Sequence, residues 1–178
     1  MVVAPETALQ PNPPYINEAE LHQLTTFHLL MERRARWHNA SFLIGATTQK
    51  YFEYKNSRAS RQDIGGPGFI ETYNSTVLFR ENRTPEVIHK SKLVLGVEKI
   101  PFSNVFPSLE ELSIQMGGSY GSLGIQDNGP SIMTARGVKL APVICYESIY
   151  GGFLRRQCKK GASYIAVVTN DGWWGDTP

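Results

Sequence analysis

Residues 139–169 read KLAPVICYESIYGGFLRRQCKKGASYIAVVT, and this stretch decides the fold. The apolar run over 139–144 predicts a strand, and the segment over 148–160 predicts a helix that ends at Gly161. Residues 163–169 predict a second strand, which is apolar enough to be buried. A strand, a helix and a strand in this order are typical of an α/β fold, in which helices cover a β-sheet.

The rest of the chain adds strands, loops and one more helix. Residues 2–4 predict the end of a buried strand, and Asn17 with Glu20 three residues later resembles a capping box that begins a helix. Residues 56–68 predict a loop because they are rich in Ser, Arg and Gly, and residues 90–107 predict a long irregular segment. Further strands are predicted at 41–47, 71–79, 85–89 and 132–136, with 85–89 as the hairpin partner of 71–79.

The composition is that of a globular protein, and we expect one domain over residues 1–178. Hydrophobic residues make up 41% and charged residues 19% of the 178 residues, which excludes a disordered chain. A net charge of +2 gives no reason to expect a nucleic-acid partner. No stretch approaches the ~18 apolar residues of a membrane span, and no signal peptide is visible. The four histidines form no ligand cluster with the cysteines, so neither a metal nor another cofactor is expected.

The segment around Cys145 contains the first candidate for chemistry. Cys145 stands between a predicted strand and a predicted helix that begins within about three residues, and helix N-termini favour the thiolate form of cysteine. Backbone N–H groups just after Cys145 could also bind an oxyanion. The alternative is that Cys145 is a small buried hydrophobic residue, as most free cysteines are.

The second cysteine, Cys158, is the competing candidate. Basic residues on either side of Cys158 could lower the pKa of its thiol. It lies late in the predicted helix with no nearby base, so we interpret Cys158 as a buried structural residue. The sequence leaves open whether Cys145 and Cys158 pair as a disulfide or are both free.

A cysteine that performs acyl transfer needs a base and a group that stabilises an oxyanion. Glu6 follows the first predicted strand and Lys90 follows the hairpin over 71–89, so both could reach one sheet edge with Cys145. Taken singly, each is more often a surface charge. Their convergence in space is therefore the hypothesis to be tested.

These residues stand in motifs that resemble the nitrilase superfamily and, within it, the apolipoprotein N-acyltransferase family. The motifs occur in the family's order along nearly the whole chain. They are PETA at 5–8, HKSKLV at 89–94 with Glu98, ICYE at 144–147 and TNDGWWGDT at 169–177.

The resemblance implies a nitrilase-like α-β-β-α sandwich, here incomplete at both ends, and a Glu–Lys–Cys triad. By position, Glu6 is the general base, Lys90 stabilises the oxyanion and Cys145 is the nucleophile. Glu98 matches a second acidic residue that supports the site, and Tyr146 and Glu147 match residues that shape the pocket. Trp173 and Trp174 are candidates for membrane-interface anchors or an acyl-chain wall, or else for ordinary packing.

The family's reaction moves an acyl chain from a phospholipid, through a cysteine thioester, to the N-terminal diacylglyceryl-cysteine of bacterial lipoproteins. The implied partners are a phospholipid donor, a diacylglyceryl apolipoprotein acceptor and a membrane. The implied location is the bacterial inner membrane, with the catalytic domain on the periplasmic side. Because the family's transmembrane helices are absent from this chain, we expect the fragment to be poorly active alone. Two alternatives remain, a soluble carbon–nitrogen hydrolase with the same triad and a non-catalytic module that kept the fold.

Overall fold

A computed structural model describes the chain over residues 1–6, 8–9, 15–23, 40–80, 83–99, 122–126 and 128–170. Two β-sheets dominate this part of the molecule. The strands are β1 (Val2–Val3), β2 (Ile16–Asn17), β3 (Phe42–Phe52), β4 (Arg61–Gln62), β5 (Phe69–Phe79), β6 (Glu86–His89), β7 (Met133–Ala135), β8 (Val138–Ile144) and β9 (Tyr164–Val168). Two 3-10 turns, η1 (Glu18–Gln23) and η2 (Cys145–Ile149), and one α-helix, α1 (Gly151–Lys159), complete the described elements.

The larger sheet is built around β3 and β5. These two strands pair antiparallel from Phe42↔Phe79 to Phe52↔Phe69, and β1 and β2 lie parallel to β3. On the other side, β6 and β4 both pair antiparallel with β5. The predicted hairpin of 71–79 with 85–89 is therefore confirmed.

The smaller sheet has the order β7-β8-β9. Arg136 and Gly137 turn β7 into β8 with φ angles of 52° and 79°, as a tight two-residue hairpin requires. β9 is parallel to β8 and follows it after η2 and α1. The strand–helix–strand order predicted over 139–169 is confirmed.

The two sheets share an apolar core. Leu43, Leu78 and Ile88 of the larger sheet pack in one cluster with residues of the smaller sheet, among them Met133 and Leu140. Strand side chains alternate between faces. A second cluster therefore covers the opposite face of the larger sheet, where Leu21 of η1 packs with residues such as Phe42 and Val77.

Helix α1 lies against the smaller sheet through Phe153 and Gln157, which are both buried. The Gln157 side-chain amide donates to the backbone carbonyls of Ser131 (2.9 Å) and Pro142 (2.8 Å), the second of them in β8. The described layers are thus η1, the larger sheet, the smaller sheet and α1. No helix in these described ranges is both long enough and apolar enough to cross a membrane.

Four sequence predictions need correction. The loop predicted over 56–68 contains the short strand β4, and the helix predicted over 148–160 is broken at Tyr150 into η2 and α1. The strand predicted as buried over 163–169 exposes about half of the side chain or more at Tyr164, Ile165 and Val167. The helix predicted at Asn17 begins at Glu18 as a 3-10 turn, and its continuation beyond Gln23 lies outside the described residues.

Candidate active site

Lys90 is a buried cation held by two carboxylates. It directly follows β6 and is only 1% exposed. Its Nζ atom lies 2.8 Å from Oε1 of Glu98 and 3.5 Å from Oε1 of Glu6. Removing an ammonium from water is costly unless it is paired, so the two carboxylates are what allow Lys90 to be buried.

Asn74 of β5 connects these two carboxylates. Its Nδ2 atom donates to Oε1 of Glu6 at 2.5 Å and to Oε1 of Glu98 at 2.8 Å. Sequence analysis did not single out Asn74. The sequence did contain one signal for Asn74. Asn is depleted in strands, and Asn74 stands in the middle of the strand-forming stretch 69–79.

Glu6 is fixed by the backbone around it and is buried, although it stands near the start of the chain. Gly45 of β3 donates to the carbonyl of Pro5 (3.1 Å), and Glu6 itself donates to the carbonyl of Thr169 (3.4 Å). A Cβ atom on Gly45 would stand 2.3 Å from Cα of Glu6, so only glycine permits this approach. The second carboxylate oxygen of Glu6 accepts no hydrogen bond within the described part of the chain.

Cys145 stands at a sharp turn directly after β8. Its φ is 48°, in the left-handed region that residues other than glycine rarely adopt. The thiol is free and half-buried. The element that begins at Cys145 is the 3-10 turn η2, whereas the α-helix begins only at Gly151, so the expected α-helix N-terminus beside the thiol is wrong.

Glu147 joins this turn to the loop that carries Lys90. Its Oε1 accepts the backbone N–H groups of Ser91 (2.6 Å) and Lys92 (3.1 Å), and its Oε2 accepts that of Ile144 (3.0 Å). Glu147 is 2% exposed. Burial raises its pKa, while the three N–H donors and the Lys90 charge oppose the rise.

One edge of the two sheets therefore brings these groups together. Ile144 at the end of β8 pairs with Val168 at the end of β9, and neighbouring strands lie about 4.8 Å apart. Cys145 and Thr169 are the next residues, and Thr169 accepts the hydrogen bond from Glu6. Glu6 thus lies at the strand ends from which Cys145 emerges, and Glu147 holds the loop of Lys90 at the same place.

The loop after Lys90 is shaped by Glu98. Its Oε2 accepts the N–H of Val94 at 2.9 Å, and its backbone carbonyl accepts the N–H of Leu123 at 2.9 Å. Gly96 makes the turn with a φ of 87°. Glu98 consequently supports both the charge and the position of Lys90.

A second polar network lies on the other side of β6, next to Lys90 in the chain. The Lys50 ammonium donates to Nε2 of His89 (2.9 Å), so Nδ1 carries the proton and donates to Ser75 (2.9 Å). Ser75 is bonded to Thr48, which donates to Glu18, and Lys50 closes the ring on Glu18 at 3.3 Å. Burial and the nearby Lys50 charge lower the pKa of His89 to about 3. This circuit of hydrogen bonds therefore contains His89 with a neutral imidazole.

The remaining predicted residues have separate outcomes. Tyr146 is exposed and meets the Tyr150 ring edge-to-face, with centroids 5.5 Å apart. Cys158 is exposed and free, so its interpretation as a buried residue is wrong. Trp173 and Trp174 lie outside the described residues. Within the described ranges, no group of three or more His, Cys, Asp or Glu side chains is placed to hold a metal.

The family model for carbon-nitrogen hydrolases matches residues 1–178, and the chain belongs to that family. Its mixed α/β fold of two sheets and few helices is of the predicted class.

Among characterised proteins, the chain is similar to the apolipoprotein N-acyltransferase of Chlorobaculum tepidum, with 29% identity over 98% of this chain and 32% of the relative. It is also similar to apolipoprotein N-acyltransferase 1 of Treponema pallidum, with 27% identity over 97% of this chain and 31% of the relative. The chain thus spans about a third of the length of these relatives. The predicted resemblance is confirmed.

Solved structures with a similar chain path include an amidase from Nesterenkonia sp. AN1, at 13% identity and a TM-score of 0.43 over 94% of this chain and 52% of that chain. Another is a glutamine-dependent NAD+ synthetase from Acinetobacter baumannii, at 16% identity and a TM-score of 0.40 over 95% of this chain and 25% of that chain.

Proposed function

We propose that this chain is the catalytic part of an N-acyltransferase that acylates bacterial lipoproteins. The acyl chain comes from a phospholipid, is carried as a thioester on Cys145 and passes to the α-amino group of an N-terminal diacylglyceryl-cysteine. The observation that carries the proposal is the buried Lys90, which Glu6 and Glu98 hold at the sheet edge where Cys145 makes its strained turn. The relatives named apolipoprotein N-acyltransferase supply the substrate class.

In the first half-reaction, Cys145 attacks the ester carbonyl of the phospholipid. Glu6 takes the thiol proton through its unbonded carboxylate oxygen, and Lys90 stabilises the negative charge on the carbonyl oxygen. The tetrahedral intermediate collapses when the carbon–oxygen bond to glycerol breaks. Glu6 returns the proton to the departing alkoxide, so lysophospholipid leaves as an alcohol and the acyl group stays on sulfur.

In the second half-reaction, the amine of the lipoprotein attacks the thioester. Glu6 takes a proton from the amine, the carbon–sulfur bond breaks and the thiol is restored, which leaves an amide on the lipoprotein. Glu98 and Asn74 keep Glu6 and Lys90 in place during both steps. Glu147 holds the turn of Cys145 against the loop of Lys90, and Tyr146 lies at the mouth of the site.

The substrates place the whole protein at a membrane. A phospholipid donor and a diacylglyceryl apolipoprotein acceptor are both membrane-bound, and we propose the periplasmic face of the bacterial inner membrane. No step of the proposed reaction needs a metal or an organic cofactor. A role for Trp173 and Trp174 against the acyl chain remains part of this proposal.

Intact-mass spectrometry of the whole protein after incubation with phospholipid tests the first half-reaction. We expect one acyl adduct on Cys145, lost in Cys145→Ala and kept in Cys158→Ala. Glu6→Gln is expected to slow adduct formation by about 10²- to 10⁴-fold, the usual contribution of a general base. An adduct on Cys158, or an undiminished rate in Glu6→Gln, would refute the assignment.

Addition of a diacylglyceryl-cysteine peptide to the acylated chain tests the second half-reaction. Transfer to the peptide amine gives an N-acyl peptide, as the proposal requires. Release of free fatty acid at the same rate with and without the peptide means that water is the acceptor, and the chain is then a carbon–nitrogen hydrolase with the same thioester.

A further inference from the structure

We propose that a cleft between Lys92, Tyr150 and Arg156 binds the phosphate of the phospholipid that donates the acyl chain. This rests on the proposed function, because a phospholipid is the donor only if Cys145 takes its acyl chain. The proposed site binds the anionic phosphate of that donor and lies away from the carboxylates that hold Lys90.

The cleft has the size of a small-ligand site. Its volume is about 380 Å³, within the usual range for such pockets. A Cβ atom on Gly151, which lines the cleft, would meet no heavy atom within 4 Å, so the space beside this residue is open. The lining residues are Lys92, Ile149, Tyr150, Gly151, Gly152, Phe153 and Arg156.

Among the described residues that line the cleft, the charged ones are both basic. Lys92 and Arg156 are its charged lining residues, and neither makes an ion pair with a carboxylate anywhere in the described part of the chain. Elsewhere in these ranges, Lys50 and Arg80 each have a carboxylate within 3.3 Å. Two cations that line one cleft and have no carboxylate partner among the described residues favour an anion, and the planar guanidinium of Arg156 suits two phosphate oxygens at once.

Tyr150 contacts Lys92, one of the two cations. The Lys92 Nζ atom lies over the Tyr150 ring at 6.0 Å from its centroid, which holds the ammonium over the cleft and away from the protein interior. Tyr150 also separates η2 from α1, with a backbone at φ −89° and ψ 86°. The break in the helix is therefore what opens the cleft between Lys92 and Arg156.

The position of the cleft fits a donor that reacts at Cys145. Ile149 lines the cleft and is the last residue of η2, which begins at Cys145. At about 2.0 Å of rise per residue, the two Cα atoms are roughly 8 Å apart along the turn. Glu147 binds the backbone of Lys92 to the same turn. In a glycerophospholipid only the glycerol carbons separate phosphate from ester, so both groups can be held at once.

Binding of short-chain lipids tests the site without catalysis. The 178-residue chain with Cys145→Ala is titrated with monomeric dihexanoylphosphatidylglycerol, with dihexanoylglycerol, which lacks the phosphate, and with inorganic phosphate. We expect the phospholipid to bind at least about tenfold more tightly than either of the others. Arg156→Gln and Lys92→Gln should each remove most of this advantage while binding of dihexanoylglycerol stays unchanged.

Arg155→Gln is the matched control, because Arg155 is an exposed neighbour on α1 that does not line the cleft. An equal loss in Arg155→Gln and Arg156→Gln would overturn the site in favour of general attraction to a basic surface. Equal affinity for the two lipids would overturn it as well. Inorganic phosphate that binds as tightly as the phospholipid would overturn the headgroup assignment and leave a site for the free anion.

A neutral ester separates this inference from the proposed function. Acylation of Cys145 by p-nitrophenyl octanoate in the chain with its native cysteine needs the catalytic groups but no phosphate. If the ester acylates Cys145 at the same rate in Arg156→Gln while the phospholipid needs a higher concentration, both ideas stand. If the ester fails and the binding differences remain, the thioester chemistry is wrong and the phosphate site is right.

Discussion

At the scale of single residues, Cys145 holds a backbone conformation that opposes folding. A φ of 48° costs a residue with a side chain roughly 1–2 kcal/mol, because Cβ approaches the following carbonyl oxygen. The conformation turns the backbone sharply where the chain leaves β8, at the residue that carries the thiol. The strain is thus located at the proposed nucleophile.

Two substitutions that both remove the thiol measure this strain. Cys145→Gly should be more stable than Cys145→Ala by about 1 kcal/mol, because glycine adopts positive φ without a penalty. Urea unfolding of the two variants gives the difference in unfolding free energy. Ala141→Gly, in the regular part of β8, is the control and should lose about 0.5–1 kcal/mol. If Cys145→Ala were more stable than Cys145→Gly, this result would contradict the strained turn.

At the same scale, the sequence singled out some site residues and missed others. Glu6, Lys90 and Cys145 were singled out because each follows a predicted strand in a recognisable motif. Asn74 was missed because its role depends on two carboxylates that are 68 and 24 residues away along the chain. Glu147 was placed in the site by resemblance, but its three backbone partners required the approach of residues 91–92, which no local pattern specifies.

At the scale of elements, the first strand and β3 set the position of the candidate base. Strand β1 lies parallel to β3, and the segment after it continues along β3 until Leu9 donates to the carbonyl of Gly45 at 3.1 Å. Glu6 is held inside this run of backbone bonds. The backbone of Glu6 can therefore move only if the segment moves, and the carboxylate moves with it.

Gly45→Ala tests that dependence. Its new Cβ would lie 2.3–2.4 Å from backbone atoms of Glu6, so the segment must shift by about 1 Å or more to restore ordinary contact. We expect a loss of about 1–3 kcal/mol in unfolding free energy and a fall in Cys145 acylation of at least about tenfold. The matched control is Gly65→Ala in an exposed turn, where the nearest atom is 3.7 Å away and both quantities should stay unchanged. Unchanged acylation in Gly45→Ala would show that Glu6 is not positioned by this approach.

The elements that the sequence misplaced share one physical reason. The helix predicted over 148–160 begins only at Gly151, because the Glu147 side chain bonds to the backbone of Ile144 and of the loop after Lys90. The short strand β4 was hidden in a loop-like composition and exists through pairing with β5. In both places, contacts with distant parts of the chain overrode the local preference.

At the scale of the whole molecule, the buried His89 ring makes stability depend on pH. The native pKa of His89 is about 3, against 6.5 for a free side chain, so the unfolded chain binds a proton that the native chain refuses. Stability is therefore lost as pH falls through 6.5 toward 3. Glu18, Lys50 and Glu71 are the charged groups around the ring. Burial raises the pKa of Glu18 above 4.5, so Glu18 acts in the opposite direction and adds stability as pH falls toward 4.5.

The predicted size of the histidine effect is about 1 kcal/mol between pH 7 and pH 5.5. Urea unfolding at the two pH values measures it, and His89→Gln should remove most of the difference. His22→Gln, on the exposed side of η1, should keep it. An equal pH dependence in the chain and in His89→Gln would mean that native His89 takes up the proton as readily as the unfolded chain does.

The order of the site residues along the chain also has a consequence for biosynthesis. Glu6, Asn74, Lys90 and Glu98 all belong to the larger sheet or its loop, and they leave the ribosome before Cys145 is made. Synthesis of the 47 residues from 99 to 145 takes on the order of seconds. The nascent chain can therefore assemble the charged pocket first. The thiol follows, and two later residues then complete the pocket: Glu147 binds the turn of Cys145 to the loop of Lys90, and the carbonyl of Thr169 accepts the hydrogen bond from Glu6.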